Sequence, residues 1–477
     1  MKKIIFIVAA FVFAHEKISF AQEHTASLQY TVPADPKVRE KLADWKKIKF
    51  GLLMHWGTYS QWGVVESWSI CPEDEGWTQR RGPYSADWYT YLKAYENLQT
   101  TFNPVKFNPE RWAAAAKDAG MKYVVFTAKH HSGFCMYNTS TTSFNVINTP
   151  FKRDILKEII DAYRKEGIAI GLYYSPEDFH YFYEHNIPLG RLQHPMQFPK
   201  NNPDLMAYDK SQIKELLSNY GKIDILFIDG PGDGIREFAW SLQPELVITR
   251  DIMNTPEQST PNTSSPRPWE ACYTMGTDWG YKPTNDPHKT GTEVINKLIE
   301  IRAKGGNFLL NVGPKPNGEI QIEQESILQE VSLWNFANSE SIYKIKPLPI
   351  IREDNIWYTQ SNDEKYIYAY ITRSSEADWK YGERKNYVLT HIDGNENTKV
   401  SILGFDAKLV EYKQGFDAAT YISPTKIGLV VSVVNGQRFY TNNQWPNTVV
   451  LKIENAAFKK ISLGSAKVNQ SKIDGAN

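Results

Sequence analysis

Between residues 47 and 343 the chain alternates short apolar runs with longer stretches whose apolar residues recur at helical spacing. The runs at 50–55, 123–128, 168–174, 223–228, 246–249 and 308–312 have the length and composition of strands. Helices are expected over 109–119, 153–165, 204–219, 291–303 and 322–336, the first opening on Pro109 and stopping at Gly120. Strands and helices in alternation predict an α/β chain built on a mostly parallel sheet. The run length matches a (β/α)8-like, TIM-type barrel, irregular because eight clean helices cannot be counted. An open doubly wound sheet is the alternative, and no Gly-x-Gly-x-x-Gly follows the first strand to favour it.

After Ser341 the texture changes. Residues 342–351 hold Lys344, Lys346, Pro347 and Pro349, the composition of a linker. Beyond them come short alternating or β-branched runs at 366–371, 387–390, 400–403, 408–412, 427–433 and 448–453, spaced by turns such as Asp393-Gly394-Asn395 and Asn435-Gly436. That pattern predicts an antiparallel β-sandwich. The expected organisation is a catalytic barrel over 35–345 followed by an all-β sandwich over 346–470.

The first 21 residues have the pattern of a signal peptide. Lys2 and Lys3 give a positive start, Ile4 to Ala14 an apolar run, and Ser19-Phe20-Ala21 a cleavage site. The apolar run is too short to span a bilayer and no later segment is long enough. The mature protein is therefore expected to be exported, periplasmic or secreted. Lys plus Arg and Asp plus Glu are equal at 54 each, so no net field recruits nucleic acid or anionic lipid. A neutral substrate suits that balance, and the 14 Trp, 27 Tyr and 22 Phe offer platforms for sugar faces as well as core. Cys71, Cys135 and Cys272 show no metal-ligand spacing and read as small buried residues.

Barrel enzymes collect their sites at the C-terminal ends of strands and in the loops that follow. His55, His130, His131, Tyr173, Tyr174, Asp229 and Arg250 all fall there. Asp229 stands out, since it follows an apolar strand and precedes Gly230-Pro231-Gly232, whose glycines allow a substrate to approach closely. The alternative role for that carboxylate is to cap the next helix or bond turn amides.

Eight segments in this order resemble the α-L-fucosidases of glycoside hydrolase family 29. They are Lys49-Phe50-Gly51-Leu52-Leu53-Met54-His55-Trp56-Gly57, Lys129-His130-His131-Ser132-Gly133-Phe134, Gly171-Leu172-Tyr173-Tyr174-Ser175, Phe227-Ile228-Asp229-Gly230, Thr255-Pro256-Glu257, Trp269-Glu270-Ala271-Cys272, Trp279-Gly280-Tyr281 and Gly305-Gly306-Asn307-Phe308-Leu309-Leu310-Asn311-Val312-Gly313-Pro314. The resemblance implies a retaining exo-glycosidase that removes terminal α-L-fucose from fucosylated oligosaccharides or glycoconjugates, with no metal or organic cofactor. It implies Asp229 as nucleophile. Double displacement needs a second carboxyl group as acid and then base, and Glu257 matches best, with Glu270 and Glu66 as rivals. His55, Glu66, His130, His131, Tyr173 and Arg250 are implied to hold the sugar, with Trp68, Trp279 or Phe227 walling its methyl group. Ser132 departs from a pattern that often has Asp there, which puts the histidine geometry in question. Two other classes compete: a metal-dependent barrel hydrolase and a non-catalytic sugar-binding protein. The adjacency of His130 and His131 argues against the metal, because on an extended strand they point to opposite faces.

Overall fold

The computed structural model describes residues 35–72, 78–190, 194–265, 267–411, 413–436 and 447–459. The expected signal peptide lies outside them. Seven strands form one parallel sheet: β1 (Phe50–Met54), β2 (Tyr123–Lys129), β3 (Ala169–Tyr174), β4 (Ile225–Ile228), β5 (Val247–Thr249), β6 (Glu270–Thr274) and β7 (Asn307–Val312), in the order β5-β4-β3-β2-β1-β7-β6. Around them lie α1 (Pro36–Ile48), α2 (Trp88–Glu96), α3 (Pro109–Asp118), α4 (Ile155–Lys165), α5 (Phe179–Glu184), α6 (Pro203–Asn219), α7 (Ile235–Leu242), α8 (Gly291–Ala303) and α9 (Ile322–Asn338). Side chains of Asp35, Asn108, Asp154, Asn202 and Thr290 accept the free amides that open α1, α3, α4, α6 and α8. Among the described residues no helix is long and apolar enough to cross a membrane.

The strands divide their side chains by the two-residue period of β structure. Leu53, Tyr123, Val125, Tyr173, Ile225, Phe227, Val247, Cys272 and Leu309 pack with each other inside the curled sheet, joined by Leu42 and Trp45 of α1. Asn307, opening β7, donates to the Trp45 carbonyl at 3.0 Å, so α1 closes the floor where the strands begin. The intervening Leu52, Val124, Phe126, Leu172, Leu226, Ile248 and Leu310 pack outward in the larger core shared with the helices. Gly51 on β1 pairs in register with Tyr123, and a Cβ there would collide with the Tyr123 ring.

Between the edges β5 and β6 runs an irregular stave, residues 254–258. Glu270 N–H donates to Asn254 O at 3.1 Å, Cys272 N–H to Pro256 O at 3.0 Å and Gln258 N–H to Cys272 O at 2.9 Å, a short parallel ladder. Pro256 has no N–H to give. The expected eight-fold barrel is thus seven strands and one partial stave.

The second layer system is β8 (Ile345–Glu353), β9 (Ile356–Ser361), β10 (Tyr366–Ile371), β11 (Arg384–Leu389), β12 (Ile392–Asp393), β13 (Lys399–Ile402), β14 (Tyr421–Pro424), β15 (Leu429–Val434), β16 (Val449–Glu454) and β17 (Ala457–Phe458). A five-stranded sheet, β13-β16-β10-β9-β8, faces a three-stranded one, β11-β15-β14, across a core of Tyr358, Ile367, Ile371, Leu389, Leu429, Val431 and Leu451. The segment expected as a linker is instead β8. Its prolines are accommodated because β8 is an edge strand, with the register shifting between Pro347 and Arg352. The run at 408–411, expected as a strand, finds no ladder partner: Leu409 is 66% exposed while Val410 packs in a small separate cluster, and Tyr412 lies outside the described residues. The outer face of the five-stranded sheet packs Trp357, Tyr368, Tyr370 and Val450 into the barrel's own core. Trp334 Nε1 of α9 donates to Thr448 O at 2.8 Å across that interface.

Gly51→Ala is expected to cost about 1–3 kcal/mol, the usual range for forcing a methyl into a packed core, seen as a lower midpoint of chemical unfolding with an unchanged m-value. An unchanged midpoint would mean the inner layer around Tyr123 is loosely filled.

Candidate active site

Each parallel strand delivers a polar side chain at its C-terminal end, and the sheet's curl brings these ends together. His55 follows β1, His130 and His131 follow β2, Asp229 follows β4 and Arg250 follows β5, while Tyr173 lies within β3. Glu257 comes from the irregular stave, Trp279 from the loop after β6, and Glu66 and Trp68 from the loop after β1.

Asp229 is held from both oxygens. Oδ1 accepts from Arg250 Nε at 3.1 Å, and Oδ2 accepts from the Tyr173 hydroxyl at 2.5 Å with His131 Nε2 at 3.4 Å. Another nitrogen of the same guanidinium, Nη2, binds Glu257 Oε1. Burial acts to lower the Arg250 pKa, but Glu257 and Asp229 outweigh it and keep the side chain cationic. Arg250 has φ 71°, the left-handed region that side chains avoid. Thr255 holds it there: Arg250 N–H donates to Thr255 Oγ1 and Nη1 to Thr255 O, both at 3.2 Å.

The three histidines have different jobs. Asn311 Nδ2 donates to Trp279 O at 2.6 Å, which orients the amide so that its Oδ1, 2.7 Å from His55 Nδ1, must accept. His55 thus carries its proton on Nδ1. Burial pushes its pKa down to about 4, so the neutral ring keeps Nε2 as an acceptor for a hydroxyl. His130 is likewise driven well below the ordinary range, first by burial and then by His131 and His55. Its Nδ1 lies 2.6 Å from Ser67 Oγ, which also accepts the Ser132 N–H at 2.7 Å. Ser67 therefore supplies the orienting contact that the departure at Ser132 had put in question. His131 is the reverse case: burial acts to lower its pKa, but Asp229 and Glu177 raise it to about 9. Both His130 and His131 reach the site, contrary to the opposite-faces expectation. The pairing between β2 and β3 shifts register at Thr127/Lys129 and the chain turns at Gly133, φ 86°, where a Cβ would meet Asp178.

Glu66 is 1% exposed and accepts the Gly280 N–H at 2.5 Å. Burial raises its pKa to about 8, so it is a neutral acid at pH 7. The rings form a wall: His130 stacks on Tyr173 (5.4 Å), Tyr173 on Phe227 (5.3 Å), Trp279 lies 5.3 Å from His55 and Trp68 4.7 Å from His131. Trp68 and Trp279 are half-buried and open to a ligand, whereas Phe227 is core. Behind the wall Lys129 is buried against Asp178 at 3.1 Å and Asp209 at 3.6 Å, with the Tyr174 hydroxyl at 3.3 Å, so Tyr174 belongs to this support and not to the cavity. Residues 178 and 209 start or lie within helices, and the ion group ties α5 and α6 to the end of β2.

Glu270, the rival acid, is at the other end of the barrel. It opens β6 and accepts the hydroxyl of Tyr123, which opens β2, whereas Asp229 and Arg250 follow the ends of their strands. Its partner there is a tyrosine hydroxyl and not a cation. All three cysteines are buried, as expected, and none is in a disulfide. Among the described residues no three of His, Cys, Asp and Glu gather as a metal site requires. Ser67, Ser175, Glu177 and Asn311, which orient the site, were not singled out from the sequence. Ser175 and Asn311 carry a signal there, both inside segments of the resemblance and Asn311 also as a polar residue inside an apolar run.

Burial raises the Glu270 pKa to about 8 from 4.5. The folded state then holds a proton the unfolded chain has lost, so stability falls as pH rises from about 4.5 to 8 and is level above. Glu270→Gln is expected to make that fall shallower, with Glu66 contributing to what remains, while leaving stability at pH 4.5 nearly unchanged, measured by urea unfolding across the range. An equal slope in both proteins would show Glu270 ionised.

A family model described as Alpha-L-fucosidase matches residues 17–340. The chain is 31% identical over 409 residues to tissue alpha-L-fucosidase of Mus musculus, covering 77% of this chain and 84% of that one. Its fold is similar to that of alpha-L-fucosidase isoenzyme 1 from Paenibacillus thiaminolyticus, with TM-score 0.68, 28% identity, and 89% of this chain and all of that chain covered. It is also similar to a Bacteroides thetaiotaomicron alpha-L-fucosidase of family 29 trapped as a covalent intermediate with 2-fluoro-fucosyl fluoride, with TM-score 0.63, 21% identity, and 88% and 97% covered.

Proposed function

The chain belongs to the α-L-fucosidase family, glycoside hydrolase family 29, and from that membership we propose that it is a retaining exo-enzyme working through a fucosyl-enzyme on Asp229. It is a glycoside hydrolase that acts on fucosylated glycans. The observation that carries the mechanism is the single guanidinium of Arg250 touching both Asp229 and Glu257. Two carboxyl groups on one guanidinium are close neighbours, which favours the ~5–5.5 Å spacing of retaining enzymes over the ~6.5–9.5 Å of inverting ones. A covalent intermediate, as named for the Bacteroides thetaiotaomicron enzyme, is the species this chemistry requires.

In the first step Asp229 attacks the anomeric carbon while Glu257 protonates the departing glycosidic oxygen. In the second, Glu257 takes a proton from water, which displaces Asp229 with net retention. Glu257 suits the exchange because its side chain is 25% exposed, so both aglycone and water reach it. Glu66 is sealed in and its Oε1 committed to Gly280, which suits a hydroxyl-binding group instead. The neutral His55 and His130 with Glu66 would hold the sugar hydroxyls, and Trp68 and Trp279 would wall its C6 methyl group. A site built on hydroxyl contacts rejects analogues that leave its buried polar groups unpaired.

Asp229→Asn is expected to abolish turnover of an aryl fucoside. Glu257→Ala should lose on the order of 10²–10⁴ on a fucosyl-sugar substrate yet still form the fucosyl-enzyme from an activated aryl fucoside. Azide should then restore turnover and yield a fucosyl azide of retained configuration, because azide needs no base. Rescue of Glu66→Ala and not of Glu257→Ala would move the acid/base role to Glu66.

We also propose export, on the pattern of residues 1–21. Protein recovered from its native compartment is expected to begin near Gln22 by intact mass. A mass that retains the segment from Met1 to Ala21 would refute it.

A further inference from the structure

His131 sits between two carboxylates, and only one of them belongs to the reaction proposed above. Ser175 Oγ donates its single proton to the backbone carbonyl of Asp229 at 3.0 Å. Toward the ring, where it lies 2.7 Å from Nδ1 and 3.1 Å from Nε2, it therefore accepts. Glu177 Oε2 is 3.0 Å from Nδ1 and is also an acceptor. Nδ1 thus carries a proton. On the other side Nε2 faces Asp229 Oδ2 at 3.4 Å, and any state without a second proton turns a lone pair on a carboxylate. The ring is flanked by Trp68 at 4.7 Å and Phe179 at 5.9 Å, and Glu177 is itself buried, so little solvent screens these charges.

We propose that Glu177 is a positioning residue that, together with Ser175, holds His131 as an imidazolium against the nucleophile Asp229. The inference rests on the nucleophile reading for its catalytic consequence but not for its geometry. The other groups that face the ring do not replace Glu177: His130, at 4.8 Å, and His55 are neutral, and Glu66 is a neutral acid. The imidazolium transfers no proton in the cycle. Its charge favours ionised Asp229 in the free enzyme and again when the carboxylate is released from the fucosyl-enzyme. Glu177 balances that charge, so an imidazolium buried beside the cationic Arg250 does not need Asp229 alone to hold it.

The test is a titration of ¹⁵N-imidazole signals in wild type, Glu177→Gln and Glu177→Asp, with pH profiles of kcat/KM on an aryl fucoside alongside. In wild type both nitrogens of His131 are expected to be protonated at pH 7.5. In Glu177→Gln, which keeps the shape without the charge, the ring should lose its proton at least about one pH unit lower, as for a buried histidine deprived of an opposite charge. Above that lowered pKa Asp229 loses its cationic neighbour, so the basic limb of kcat/KM should move down by about one pH unit, with KM nearly unchanged. Glu177→Asp should restore both. A neutral His131 in the wild type at pH 7.5, or the same titration in wild type and Glu177→Gln, would overturn the proposal. Labelling with 2-fluoro-fucosyl fluoride and peptide mass mapping separates the two readings. A label away from Asp229 removes the nucleophile assignment, while the imidazole titration still decides Glu177.

Discussion

A parallel sheet of seven strands has two edges, and each edge bears backbone groups that need partners once they are buried. Here the edges are β5 and β6, and residues 254–258 fill the gap. The stave forms three backbone bonds with β6, but Pro256 lacks an N–H, and toward β5 the contact passes through Thr255 to Arg250 instead. That substitution of a side chain for a strand pairing places Glu257 on the Arg250 guanidinium, and Arg250 in turn on Asp229. The proposed catalytic pair is thus a product of how the barrel closes. The left-handed backbone at Arg250 is the local strain it costs.

Around that guanidinium the charges are sorted by what each group must do. Arg250 and His131 are cationic and stand against Asp229, Glu257 and Glu177. The groups suited to sugar hydroxyls, His55, His130 and Glu66, are neutral because burial penalises their charged forms. A neutral sugar can meet such groups without displacing a counter-charge. In the proposed mechanism the fixed dipoles and cations act where negative charge appears on Asp229 during turnover.

The sandwich contributes support from outside. Its five-stranded sheet lies on α8 and α9, and those helices flank the strands that present Asn311 and the loop of Trp279. Thr448 Oγ1 donates to Asn296 Oδ1 of α8 at 2.6 Å and Asn447 Nδ2 to Glu330 Oε1 of α9 at 2.9 Å. These are buried or half-buried polar contacts, in which a lost partner costs more than a formed bond adds. Asn311 passes the rigidity inward, since it bonds both His55 and the Trp279 carbonyl.

The alternation of strands and helices in the barrel was legible because apolar runs of four to seven residues are spaced by amphipathic helices, whereas β6 was not among the expected strands. Six strands and five helices stand within a few residues of their expected positions, and the polar residues at their ends mark the site. The motif residues Asp229, Glu257, His55, His130, His131, Tyr173 and Arg250 are in mutual contact through one network. What the sequence could not decide is pairwise geometry between segments far apart in the chain. Glu270 and Glu257 are both carboxylates in apolar surroundings, and only the direction of the strands sends one to the floor and the other to the mouth. Ser67 reaches His130 across 63 residues, and Asn311 reaches His55 across 256. The linker that proved to be β8 follows the same logic: its prolines forbid a central strand, but an edge position exists only once the sheet has assembled. Local chemistry sets the kind of element and the kind of group. Which group faces which is set by closure of the barrel, because burial and opposing charge act through space.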